Sequence, residues 1–180
     1  QRQIESDTRT FADALKHIFR QDPDLVLVGE MRDAETVRAA LTLAETGSLV
    51  LSTLHAGEAL EVPSRIVDMF PIEHQVPIRS QLSLVLSHVV AQQLLPRTGG
   101  GRIVATEILV GTSAVRTVIR EGKPHDIYNQ ILLGRQLGMS TMNESLRSLL
   151  DRNEISLETA LEYSLNPVEL QRSLKEQNDA

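Results

Sequence analysis

The apolar run Leu25-Val26-Leu27-Val28 leads through Gly29 straight into Glu30, and a second run, Leu49-Val50-Leu51-Ser52-Thr53-Leu54, leads into His55. Branched aliphatics without alternation suit parallel strands covered on both faces, and ligands of open parallel sheets gather at the carboxyl ends of such strands. A carboxylate there can hold magnesium or its water, or polarise the water that attacks a phosphoryl group. An imidazole there can donate a hydrogen bond to negative charge developing on a phosphate. Singly, each residue has an ordinary explanation: Glu30 as a solvated strand end paired with Arg32, and His55 as a histidine that only ends a strand. Two such residues at the same ends of two parallel strands predict one shared crevice.

Other candidates carry less. Ala114 to Glu121 places Val115, Val118 and Ile119 on one helix face and Arg116 and Arg120, four residues apart, on another, which by spacing alone reads as a solvated face. His17, His55, His74, His88 and His125 show no i,i+4 pairing, and there is no cysteine, so the spacing of a zinc site is missing. Gly99-Gly100-Gly101-Arg102 lacks the strand before, the helix after and the Lys-Ser/Thr end of a phosphate cradle, and reads as a turn.

The elements that position these residues follow from periodicity and punctuation. Thr10 with Asp13 resembles a capping box, and Phe11, Leu15, Ile18 and Phe19 predict a helix to about Arg20 that Pro23 ends. The strand Leu25 to Val28 follows. Ala34 to Thr46, with Val37, Leu41 and Ala44 on one face and Gly47 beyond its end, predicts a crossover helix into the second strand. The unit is β-α-β, so the strands should be parallel and the connection right-handed. Leu60 to Phe70 and Ile78 to Leu95 read as helices divided by Pro71, and Arg102 to Val110 as a strand that can pair with the tail of a preceding strand across the glycine turn. Short helices are expected at Ser113 to Arg120, His125 to Leu133, Met142 to Asp151, Leu157 to Ser164 and Pro167 to Lys175. Thr141 with Glu144, and Asn166 with Pro167 and Glu169, mark two of their starts. The expected organisation is an α/β part over 1–111 and an all-helical part over 112–180.

Composition narrows the function classes. A net charge of -6 without a dense Lys/Arg run argues against nucleic acid as a partner. The most apolar region, Leu82 to Leu95, is broken by Ser83, Ser87, His88, Gln92 and Gln93, short of the about 20 apolar residues of a membrane span, so no direct membrane insertion is expected. Absence of cysteine fits a reducing compartment, and the cytoplasm is the expected location. The chain opens at Gln1 without an obvious leader, so upstream sequence is expected.

Together the motifs resemble the type IV pilus and type II secretion ATPase family, and within it the PilT-type retraction motors. Asp22-Pro23-Asp24 through Val28-Gly29-Glu30-Met31-Arg32-Asp33 resembles the family's Walker B segment, and Glu45-Thr46-Gly47 through Ser52-Thr53-Leu54-His55 its His box, with Ser48 where relatives often carry a first histidine. The resemblance continues through Arg65-Ile66-Val67-Asp68-Met69-Phe70-Pro71 and Gly99 to Gly111. Ala114 to Glu121 is similar to the Ala-Ile-Arg-Asn-Leu-Ile-Arg-Glu motif of retraction motors, keeping Arg116, Arg120 and Glu121. Absence of the four-cysteine zinc element common in assembly and secretion ATPases points the same way.

The resemblance implies the carboxyl-terminal part of a RecA-like ATPase core with parallel strands, followed by a small helical domain. It implies ATP and Mg2+, with Glu30 and His55 catalytic and Glu30 at the magnesium, directly or through water. It places Gly29, Arg32 and Thr53 around the nucleotide and Arg116, Arg120 and Glu121 in the motor motif. It further implies a homo-hexamer acting on an inner-membrane pilus platform protein from the cytoplasmic face. No Gly-x-x-x-x-Gly-Lys-Ser/Thr occurs, so these residues alone are expected to hydrolyse little ATP. The alternatives are a pilus assembly or type II secretion ATPase, and a non-catalytic docking or oligomerisation module.

Overall fold

In the computed structural model, residues 6–9, 14, 17–18 and 20–178 are described; the helix expected from Phe11 falls largely outside them. The chain divides into two compact units. One comprises Gln1–Ala56, Glu61–Leu86 and Ser113–Pro124; the other Gly57–Leu60, Ser87–Thr112 and His125–Ala180. This differs from a single boundary near Gly111. A β-hairpin packs with the late helices, and the helix that begins at Ser113 packs back on the earlier ones.

In the first unit, β1 (Leu25–Val28) and β2 (Leu49–Ser52) pair in parallel from Leu25↔Leu49 to Val28↔Ser52, as the β-α-β reading requires. The connecting helix α1 (Ala34–Glu45) is fixed at both ends. Asp33 caps it by accepting the Thr36 N–H at 2.8 Å. At the other end Gly47, at φ +105, lets its own N–H reach the Ala44 carbonyl while the Ser48 N–H reaches Leu43, the Schellman arrangement. Leu43 packs against Val26 and Val28, and burying such a side chain stabilises by roughly 1.5–3 kcal/mol. The Ser48 hydroxyl then donates to the Pro23 carbonyl, and the Leu49 N–H to Asp24, locking the register.

The two strands are not covered on both faces, contrary to the reading of their apolar runs. Val26 and Val28 are buried, whereas Leu25, Leu27, Leu49 and Leu51 are each about half exposed or more. The described residues supply two strands to this sheet and pack its core on one face only. Beyond β2 come α2 (Glu61–Asp68), α3 (Ile72–Val85), which packs on α1 and α2, and α4 (Ser113–Glu121), which lies on α3 with Val115 and Ile119 buried.

The second unit is built on the antiparallel hairpin β3 (His88–Pro96) and β4 (Arg102–Val110), closed by the glycine turn. The helix expected to Leu95 therefore stops at Val85, and the strand pairing expected across the turn is present. Helices α5 (His125–Leu133), α6 (Met142–Asp151), α7 (Leu157–Tyr163) and α8 (Pro167–Asn178) follow. Leu95 and Ala105 of the hairpin share a core with Leu146 and Leu149 of α6, Ala160 of α7 and Leu170 of α8. The expected caps are in place: Thr141 and Glu144 form a reciprocal capping box, and Asn166 accepts the Glu169 N–H. Glu107 of β4, 2% exposed, sits inside this unit, accepting the Ala59 N–H at 2.7 Å and the Met142 N–H at 3.3 Å.

Candidate active site

Pairing of β1 with β2 continues past the last strand residues: the Met31 N–H donates to the Thr53 carbonyl at 3.0 Å, and the Thr53 hydroxyl to the Gly29 carbonyl at 2.6 Å. Gly29 and Thr53 thus bind one another and hold the two strand ends in step. What they align is the pair beyond them. His55 Nε2 lies 3.1 Å from Glu30 Oε1, while Arg32 sets Nε at 2.7 Å and a terminal nitrogen at 2.6 Å from Glu30 Oε2. Glu30 thus pairs with Arg32, as its sequence neighbourhood allows, and faces His55 across the paired strand ends.

The Arg32 guanidinium, hydrogen-bonded to the carboxyl, holds Glu30 below the ordinary carboxylate range. Desolvation at the strand end opposes this, and the charge of Arg32 and then of His55 adds to the lowering. Glu30 is therefore ionised throughout the physiological range, an acceptor and counter-charge rather than a proton donor. His55 is almost fully exposed, so the site is open to an incoming group.

Glu30, Arg32 and His55 line a cavity of about 450 Å³, within the size range of small-molecule sites. Its other wall is α2 and the residue after it: the buried Ile66 and Val67 leave Arg65 and Asp68, with the following Met69, toward the opening. Arg65 and Asp68 did not stand out in sequence as site residues, since a charged pair three apart on an amphipathic helix is commonplace. The available signal was position, on the first helix after His55. Arg116, Arg120 and Glu121 line none of this cavity. Arg116 donates to the Leu84 carbonyl at 2.8 Å, exposed Arg120 reaches Thr117, and Glu121 pairs with Lys123.

Residues 1–166 match the sequence model of the family described as Type II/IV secretion system protein. The chain belongs to that family. Among relatives of this secretion family, the type IV pilus retractation ATPase PilT of Pseudomonas aeruginosa is 47% identical over 167 residues, covering 93% of this chain and 48% of the relative. A twitching motility protein of Neisseria gonorrhoeae is 45% identical over 167 residues, 92% of this chain and 45% of the relative. The crystal structure of the pilus retraction motor PilT with bound ADP superposes with a TM-score of 0.86 at 46% identity, over 96% of this chain and 48% of that one. The chain spans about half the length of the curated secretion-family relatives it matches.

An oxygen-only, ionised acid fits Mg2+, which prefers one or two carboxylates, substrate phosphates and retained waters. Glu30, an ionised carboxylate at the strand end whose pKa Arg32 lowers further, meets that requirement. Among the described residues no group of three or more His, Cys, Asp or Glu side chains could cage a metal without such a ligand. No helix among them is long and apolar enough to cross a membrane.

Proposed function

We propose that this chain is part of a hexameric ATP-hydrolysing motor that drives type IV pilus retraction from the cytoplasmic face of the inner membrane. The observation that carries the reading is the juxtaposition of Glu30 and His55, 3.1 Å apart at the ends of paired parallel strands over an open cavity. Supporting it are relatives named for pilus retraction and twitching motility.

Phosphoryl transfer asks the protein chiefly for positioning and charge. Ionised Glu30 accepts a hydrogen bond from the attacking water, orients it and serves as the base for its proton. His55, an N–H donor beside it, faces the transferred phosphoryl group from the adjacent strand. Arg32 holds Glu30 Oε2 in place and lowers its pKa further, and the Gly29–Thr53 bond keeps the two strand ends in register beneath the nucleotide. Glu30 would hold Mg2+, directly or through water, and the ion would supply neutralisation of phosphate charge. On α4, Arg116, Arg120 and Glu121 form a surface apart from the cavity residues, suited to passing motion to a pilus platform protein.

The test uses the protein at its natural length. Glu30→Gln is expected to lower ATP turnover by roughly 10²–10⁴-fold with nucleotide binding retained. Replacing Arg116 and Arg120 by alanine is expected to abolish retraction while turnover persists. Undiminished turnover in Glu30→Gln refutes the catalytic reading, and undiminished retraction in the arginine variant refutes the motor role of α4.

A further inference from the structure

One face of β4 carries a row of buried residues, Ala105, Glu107 and Leu109, and the middle one is a carboxylate. An apolar side chain would occupy that place without the desolvation a carboxylate suffers there, so what Glu107 adds is its two bonds. One oxygen accepts the N–H of Met142, in the first turn of α6, and the other accepts the N–H of Ala59, itself wholly buried. Ala59 lies in a stretch with an unusual course. The chain up to Ala56 is part of the first unit, Gly57–Leu60 is part of the second, and α2, from Glu61, is part of the first again. Glu107 thus fastens the chain where it enters the second unit, with only Ala56, Gly57 and Glu58 between His55 and the fastened Ala59.

His55 needs such an anchor. Its side chain is almost fully exposed, so packing does little to hold the ring, and its place depends on the backbone that carries it. That backbone is held on one side by Thr53, whose carbonyl accepts the Met31 N–H at 3.0 Å, and on the other by Ala59. We propose that Glu107 is a positioning residue for His55, fixing the far end of its segment so that the imidazole stays beside Glu30 and faces the transferred phosphoryl group. None of the residues that line the cavity belongs to the second unit, so the placement of His55 depends on a carboxylate that takes no part in the site itself. The inference rests on the reading of His55 as the donor to that group.

The experiment uses the protein at its natural length and reads kcat and KM for ATP with Mg2+, with thermal unfolding by circular dichroism. It compares wild type with Glu107→Ala, Glu107→Gln, a chain with one extra glycine between Gly57 and Glu58, His55→Ala, and the insertion combined with His55→Ala. Glu107→Ala unties the segment and the insertion slackens it with both Glu107 bonds left in place. Each is expected to lower kcat about tenfold with KM within twofold, the signature of a misplaced group rather than of lost binding. Glu107→Gln, which keeps one acceptor, should lose less. In His55→Ala the insertion should cost nothing further, since no imidazole remains to be placed. Leu149→Ala, a core truncation in the same unit, should lower the melting temperature yet keep kcat within twofold. An insertion without effect on kcat overturns the proposal. So does an insertion whose full loss persists in His55→Ala, or a Leu149→Ala variant that loses kcat equally, as a merely structural role would give. If Glu107→Ala does not fold, the insertion and its combination with His55→Ala decide. Wild-type turnover in His55→Ala sinks the reading of His55 instead, so the two failures are distinguishable.

Discussion

Replacing Glu107 by glutamine perturbs a carboxylate that is 2% exposed and carries two backbone N–H groups, those of Ala59 and Met142. Glutamine keeps one acceptor oxygen and turns an NH2 group toward the other N–H. One buried donor is left without a partner, at a cost of about 1–3 kcal/mol. Glu107→Ala strands both donors and opens a cavity, so a loss of roughly 3–5 kcal/mol is expected. The pH dependence separates the two effects. Burial raises the Glu107 pKa, the two backbone N–H bonds opposing it, so the folded protein holds this proton more tightly than the unfolded chain does. The group's contribution is most favourable below the unfolded carboxylate pKa, and declines as pH rises from there through the raised folded value. Glutamine lacks this term, so its penalty should be largest at acid pH and shrink toward neutrality. The chain has no tryptophan, so urea unfolding followed by circular dichroism between about pH 4 and 7 is the suitable assay. Parallel stability curves for wild type and Glu107→Gln would show that Glu107 does not titrate in a desolvated site, and a loss under about 0.5 kcal/mol in Glu107→Ala would refute the two-bond account.

Two further outcomes are expected. Gly122 sits at φ +69, with the Arg79 guanidinium about 3.0 Å from where a Cβ would stand, so Gly122→Ala should lower stability by roughly 1–2 kcal/mol from backbone strain, read by thermal unfolding; a neutral result would mean that the turn relaxes freely. Arg32→Gln removes the hydrogen bond that depresses the Glu30 pKa, so the acid limb of the pH–turnover profile should move to higher pH, and an unmoved limb would mean that Glu30 does not set it.

The β-α-β unit was readable because its signals are local and agree: apolar runs on either side, a helical stripe of Val37, Leu41 and Ala44 between them, and Gly47 where the helix must turn back. The expected caps at Thr141 and Asn166 were legible for the same reason. The hairpin was not. Val89, Ala91, Gln93 and Leu95 point one way and Val90 and Leu94 the other, so apolar residues occupy both faces, erase the alternation that marks a strand, and fit a helical stripe as well. Glu107 hides in the middle of a β-branched strand, where sequence gives no sign that a backbone N–H from Ala59, 48 residues earlier, satisfies it. At the site, Glu30 and His55 were visible because strands deliver them, whereas Arg65 and Asp68 depend on which way α2 faces, known only once its buried side is seen.

The open leucine face of β1 and β2 also bears on when, as well as where, this chain folds. The hairpin β3–β4 joins neighbouring segments across a short turn and can zip early, whereas β1 must wait for the whole of α1 before β2 can lie beside it. During that interval Leu25, Leu27, Leu49 and Leu51 stand on unpaired strands, and after pairing they still meet solvent on one side. Apolar strand segments exposed in this way are prone to pair with other chains. Refolding yield should therefore fall with protein concentration, and Leu27→Lys, which leaves the buried Val26 and Val28 untouched, should restore it.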